Sequence, residues 1–465
     1  MQRLIHRIRT TAVAGGVIAG SMLVGACNPK QELLSPQQPG VISPSDVANA
    51  TAADALYTGA MGRFKNAMNG NGNNTEALWN WEGLFTDELR SADTFSQRND
   101  ADQRNLQTND GVLTPIYQNA QQARGRARDA INALLAYDQT ATGKQHVGEM
   151  YYAMGYMELI MSQAFCNGIP FGETVNGIPQ YTQPLMDADG FKLAITRFDS
   201  AAIYLTASDA GTLNIKYAAL VARGRAQVDL GDFAGAATTV ASVPTSFQYN
   251  FDYSQTTFDN EWWIMGASVK RYNPGDSIDV AGQIFNAIPF VHLNDPRVSI
   301  TDTKSKAEDN TSNYWNVNNW SANRDDPIPV ASGIDARLIE AEAKLKVNDI
   351  AGMMTILNAL RTAPQTLGIF KVPALPALAA PPDQTTATDL FFREKALWQF
   401  QRGYRMDDLR RLVRQYGRTQ DKVFPTGNFT RNGTPSGQFG TQVAFPVPDA
   451  EGSNPNFHGC IDTKA

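Results

Sequence analysis

Residues 219–237, ALVARGRAQVDLGDFAGAA, lie without a gap on residues 336–354, ARLIEAEAKLKVNDIAGMM. Gly224 falls on Ala341, Ala226 on Ala343 and Val228 on Leu345. The DFAG that begins at Asp232 falls on the DIAG that begins at Asp349. Both copies space their apolar residues for one helix, break at Gly-Asp or Asn-Asp, and resume a helical pattern. A small residue in the middle of the first helix lets the second come close. The unit is a helix–turn–helix that needs neighbours to bury its apolar face.

Working outward, the same periodicity dominates the chain. From Val147 the residues Met150, Tyr151, Met154, Met157, Met161, Ala164 and Phe165 recur every three or four positions, and Asn167-Gly168 followed by Pro170 stops the helix. Similar patterns cover 116–137, 191–206, 215–230, 334–347, 351–361 and 390–416. The stretches 69–74, 244–253, 305–326 and 426–445 are rich in Asn, Gly, Ser and Asp and read as loops with at most short strands. The expected fold is mainly α: tetratricopeptide-like hairpins as scaffold and a loop-rich lobe with few short strands. Chance likeness of two amphipathic hairpins is the competing account of the repeat.

The N-terminus bears on compartment. Arg3, Arg7 and Arg9 precede an uncharged run from Thr10 to Ala26, short for a membrane span, and the run ends in LVGAC. An aliphatic residue, two small ones and Cys27 make a bacterial lipobox, which implies cleavage after residue 26 and acylation of Cys27. Several acyl chains, at about 0.8 kcal/mol per buried CH₂, anchor durably where one would not. Residues 27–46 then read as the lipidated N-terminus and a Pro/Gln/Ser-rich tether, and 47–465 as one large domain or two interlocked lobes. Loss of the leader moves the formal charge from −6 to −9. An acidic chain without a basic block is a poor partner for nucleic acid. Cys166 and Cys460 are the remaining cysteines, and in an exported protein they suggest one disulfide, with two buried thiols as the alternative. A loop of that length is stabilised on the order of 4 kcal/mol by its closure.

Catalytic signatures are sparse. His146, His292 and His458 are far apart, and no HExxH, Cys/His cluster, GxSxG or phosphate-binding glycine loop occurs. Asp187-Ala-Asp189-Gly190 lacks the further ligands of a calcium loop and reads as a polar turn. No catalytic residue, metal or cofactor is therefore assigned. The aromatic residues carry a binding case instead. Trp79 and Trp81 lie in ALWNWEGLF, and Tyr314, Trp315, Asn316 and Trp320 in SNYWNVNNWS, where rings alternate with amides. A sugar's C–H face stacks on an aromatic plane while Asn, Asp and Arg serve its hydroxyls. Core packing is the alternative for each ring, and the preferred one for Trp262 and Trp263. In 390–416, Asp407 and Asp408 are spaced to pair with Arg411, as in a solvated or salt-bridged structural helix.

Several ordered segments together resemble the SusD/RagB family of outer-membrane lipoproteins: Gly148-Glu149 with Gly168 and Pro170; Asp295-Pro296-Arg297; Ala341-Glu342-Ala343; Asn358 with Arg361; Glu394, Gly403, Arg405, Asp408, Leu409 and Arg411; and Pro446, Pro448, Glu451, Asn454 and Pro455. Lys395 stands where the family has arginine, the chain is short for the family, and the Cys166/Cys460 pair is not general to it. The resemblance implies four tetratricopeptide-like hairpins, a loop-borne ligand site, and a TonB-dependent SusC-like barrel over which the lipoprotein sits as a lid. It implies an oligosaccharide or other nutrient as ligand and attachment to the outer membrane through lipid. Two other readings compete: a tetratricopeptide-like assembly lipoprotein, and a surface glycosidase. A glycosidase needs two facing carboxylates, and nothing in the spacing of the 46 acidic residues singles out a pair.

Overall fold

A computed structural model describes residues 47–71, 76–175, 178–279, 281–282 and 286–465. The lipobox, Cys27 and the tether lie outside the described residues. The described part from Ala48 to Ala465 forms one compact unit.

Helices pack in pairs. Ala50–Asn69 packs on Leu113–Tyr137, Ala141–Ala164 on Asp187–Tyr204, Ala210–Asp229 on Phe233–Val240, and Gly333–Lys346 on Ile350–Thr362. Each hairpin also packs on the next, so an apolar stripe left open by one pair is covered by its neighbour. The repeat read from sequence is reproduced to the hydrogen bond. Asp232 and Asp349 cap their second helices with nearly the same backbone angles, and their carboxylates accept from the N–H of Gly235 and Gly352. Gly231 and Asn348, one residue earlier, both take the left-handed conformation the turn demands. Gly224 marks the closest approach: a Cβ there would lie 2.8 Å from Val240 Cγ1 and 3.2 Å from Ile339 Cδ1.

Two expectations are corrected. The pattern at 390–416 forms two helices, Gln384–Trp398 and Arg405–Arg414. Gln401 and Gly403 have positive φ and turn the chain between them. A Cβ on Gly403 would sit 2.1 Å from Trp79 Cδ1, so the turn is packed where only glycine fits. Asp187 and Asp189 belong to the first turn of a helix rather than a polar turn, where their charge suits the helix dipole, and Asp187 accepts from Arg410 at 2.6 Å.

Residues that carry the family resemblance converge on a buried ionic network. Glu394 accepts from Arg297 at 2.6 Å and from Arg361 at 2.9 Å, while Arg297 also donates to Asp295. Glu342 meets Arg411, Lys395 and Tyr416, and Arg411 reaches Asp408 at 2.7 Å and Asp407 at 3.0 Å. Arg405 clamps Asp87 with two bonds. The helix read as solvated or salt-bridged is thus buried and salt-bridged. Desolvating so many charges is costly unless each is paired, and here they are.

Cys166 and Cys460 are joined in a disulfide with Cα atoms 5.9 Å apart. The tail is held beside it: Ile461 N–H donates to Asn167 O, and Asn167 Nδ2 to Asp462. Among the described residues every named strand sits in a two-stranded antiparallel ribbon. Three ribbons make up much of the loop-rich lobe: Leu89–Ser91 with Tyr272–Pro274, Ile300–Lys306 with Asn313–Val317, and Asn428–Arg431 with Thr434–Gln438.

Candidate functional site

A strand alternates its side chains between two faces, and in Asn313–Val317 the alternation separates two concave surfaces. Asn313 and Trp315 face a cleft of about 200 Å³, which Arg90, Ser91, Asn273, Asp276, Asp279, His292, Thr430 and Asn432 also line. Tyr314 and Asn316 border a groove on the other face, of about 450 Å³. The hairpin register sets Trp315 opposite Asp302 and Asn316 opposite Thr301.

Trp315 is half-buried and is held from behind. Its N–H donates to Asn273 Oδ1 at 3.0 Å, while Asn273 Nδ2 donates to Asn313 O at 3.0 Å. Buried Asn273 therefore acts as a strand partner in side-chain form and fixes the backbone at Trp315 against the ribbon Leu89–Ser91/Tyr272–Pro274. Arg90 is fixed as well. Asp102 accepts its Nε at 3.1 Å and the Ser91 N–H at 2.8 Å, and the guanidinium lies 5.4 and 5.3 Å from the centres of the Phe429 and Phe439 rings. Burial pushes the Asp102 carboxyl up to about 6 although Arg90 pulls it down. His292, on the short helix Phe290–Leu293, places Nδ1 against the Asp276 carboxylate at the rim.

Three lining groups are left over. Ser91 Oγ, Thr430 Oγ1 and Asn432 Oδ1 are buried and have no hydrogen-bond partner among the described residues. Buried polar atoms are ordinarily paired, so unpaired ones beside a cleft are available to a ligand or water. An indole, a carboxylate, an imidazole, a hydroxyl and amides gathered around one small cleft suit a polyhydroxylated ligand with apolar C–H faces.

The structure corrects most of the aromatic candidates. Trp79 and Trp81 are fully buried, Trp320 is 1% exposed and Tyr314 2%. Trp79 packs against Gly403 and Phe251, and Trp81 against Phe445. Trp320 donates its Nε1–H to Phe400 O at 3.1 Å, with Phe370 beside its ring. A ring covered on both faces stacks on no ligand, and these are core residues. Trp262 is buried, as read, while Trp263 is half-buried. Sequence reasoning missed Arg90, Asn273, Asp276, Asp279, His292, Thr430 and Asn432. They come from four separated segments, and nothing local distinguishes them from other polar loop residues.

The sequence matches no family model and no curated protein. Solved structures do match. A SusD-like carbohydrate-binding protein from Bacteroides fragilis is 12% identical, with a TM-score of 0.61 over 88% of this chain and 99% of that one. A SusD superfamily protein from Bacteroides vulgatus is 16% identical, with a TM-score of 0.60 over 88% and 98%. A laminarin-binding SusD-like protein is 13% identical, with a TM-score of 0.61 over 89% and 99%. Likeness over nearly the whole of both chains establishes a shared fold.

Proposed function

We propose that this chain, which has the SusD-like fold, is a lipid-anchored binding protein that captures a nutrient, an oligosaccharide above all, and delivers it to a TonB-dependent outer-membrane barrel. The observation that carries the reading is the Trp315 cleft: a half-buried indole on a backbone tied to Asn273, beside unpaired hydroxyl and amide groups, on a fold shared with proteins described as carbohydrate-binding. The cleft is smaller than the roughly 300–1,000 Å³ of pockets that enclose a drug-sized ligand. It takes one end or one branch of a saccharide, and the rest of the chain lies over the lobe.

Capture here involves no bond making. Trp315 stacks on the apolar face of the sugar, Asp276 and Asn432 accept from its hydroxyls, and His292 and Thr430 complete the ring of contacts. Selectivity is then a difference of affinities set by cleft shape. The lipobox at Cys27 supplies the anchor and residues 28–46 the reach to a neighbouring barrel.

A glycan array followed by calorimetry tests the reading. Trp315→Ala is expected to weaken saccharide binding by about five- to tenfold, the loss of a stacking contact worth about 1–1.5 kcal/mol, with the melting temperature unchanged. Binding equal to wild type would place the site elsewhere. Mass spectrometry of the membrane fraction tests the anchor, with diacylglyceryl mass on a mature chain beginning at Cys27 as the expected result.

A further inference from the structure

The groove on the opposite face of the same ribbon differs in chemistry from the Trp315 cleft. Its lining is Ala267, Lys270, Thr301, Thr303, Ser305, Tyr314, Asn316 and Asn318, with one cation and no carboxylate. In a chain with 46 acidic against 40 basic residues, such a surface departs from the average.

The side chains form a directed relay. Tyr314 Oη donates to Asn316 Oδ1 at 2.8 Å, Asn316 Nδ2 to Asn318 Oδ1 at 2.9 Å, and Asn318 Nδ2 to Thr301 Oγ1 at 2.9 Å and Ser299 Oγ at 3.2 Å. Thr303 spends its hydrogen on Tyr314 O at 2.7 Å, and Ser305 lies 2.8 Å from Thr303 Oγ1. Both amide oxygens are thus occupied. Among the described residues, the second Asn316 N–H, the Thr301 O–H and two hydrogens of Lys270 have no protein acceptor; the third reaches Ser305 Oγ at 3.3 Å. What the relay leaves unspent is a set of donors, and a group with acceptors only is its complement.

Backbone geometry adds an independent mark. Lys270 has φ +56 and follows a π-helical turn at Ile264–Ser268. Such turns and left-handed non-glycine residues collect at functional positions, where the cost of the conformation is met by what it places. Here they place the lysine beside the ribbon, with Nζ 5.9 Å from the centre of the Tyr314 ring.

We infer that this groove is a second ligand site, which takes the anionic oxygen group of an acidic saccharide: the carboxylate of a uronic acid or a sulfate ester. The assignment rests on the saccharide-binding reading and extends it, since a ligand wrapped over the ribbon meets the indole on one face and the lysine on the other. Titrations of the full-length, ¹⁵N-labelled protein with D-glucuronate, D-glucose 6-sulfate and D-glucose, followed by NMR, test it. Glucuronate or the sulfate ester is expected to shift the side-chain amide signals of Asn316 and Asn318 saturably, and glucose to leave them in place. Lys270→Met should weaken the shift about tenfold, the worth of a charge-assisted hydrogen bond, and Thr301→Val, which removes one donor at constant shape, should weaken it less. The three sugars also separate the sources, since one anion moving the signals identifies its class. Absence of a shift with both anions, or a shift that titrates at the same concentration in Lys270→Met, overturns the second site. The Trp315 indole signal reports on the first cleft, so its failure to respond to any sugar would count against the proposed function and not against the groove.

Discussion

Trp315 and Trp320 stand five positions apart in one polar segment and do different things. Trp315 alternates onto the open face of a ribbon, whereas Trp320 lies past the strand's end with its indole N–H tied to Phe400 O. Trp320→Ala is therefore expected to cost about 3–5 kcal/mol of stability, read by denaturant unfolding. Charges divide in the same way. Glu394 holds two arginines in the interior, and Glu394→Ala should cost about 3–5 kcal/mol because Arg361 loses its carboxylate and Arg297 keeps only Asp295. Glu82 and Glu88 show the opposite case: burial pushes both carboxyls up to about 8 from an ordinary value of 4.5. A carboxyl whose folded pKa is raised binds its proton more tightly when folded, so its contribution is fully present below pH 4.5 and lost as pH rises through 8. Glu82→Gln and Glu88→Gln, which mimic the protonated form, should flatten the fall in melting temperature between pH 5 and 8.5. An unchanged slope would mean that these groups do not titrate in that window.

At the scale of elements, the repeat shows what local sequence can specify. Asp232 and Asp349 cap equivalent helices through equivalent bonds, and replacing either by Ala should cost about 1 kcal/mol, measured singly and together. The two caps lie in different hairpins, so the costs should add. The break between Gln384–Trp398 and Arg405–Arg414 was not legible, because the apolar period runs through it. The turn there takes positive φ at Gln401 and Gly403, and Gly403 lies against Trp79, distant in sequence, where a side chain would not fit. Gly403→Ala is expected to destabilise by about 1–3 kcal/mol through overpacking and backbone strain, with secondary structure by circular dichroism retained.

Across the whole molecule, the disulfide ties the C-terminal tail to the end of the Ala141–Ala164 hairpin helix, closing a loop that spans 294 positions. Replacing Cys166 and Cys460 together by serine should lower stability by about 2–4 kcal/mol, and non-reducing electrophoresis with thiol labelling should find no free thiol at either position in the native protein. The ionic network does a similar job from within: Glu342, Arg361, Glu394, Lys395 and Arg411 join helices from the middle and the end of the chain, and Arg405 ties the end to Asp87 near the start.

The amino-acid sequence by itself determined the helical scaffold, the paired hairpins with their capping aspartates, and the acidic balance, because periodicity, caps and turn residues act over a few neighbouring positions. The motif residues were legible too, though as a family likeness and not as the buried ion pairs they form. Only the tertiary structure decided which aromatic rings are covered, where a continuous apolar pattern breaks, and which loops meet around Trp315. Those outcomes depend on contacts between segments hundreds of residues apart, and burial is a property of the assembled whole that no single stretch encodes.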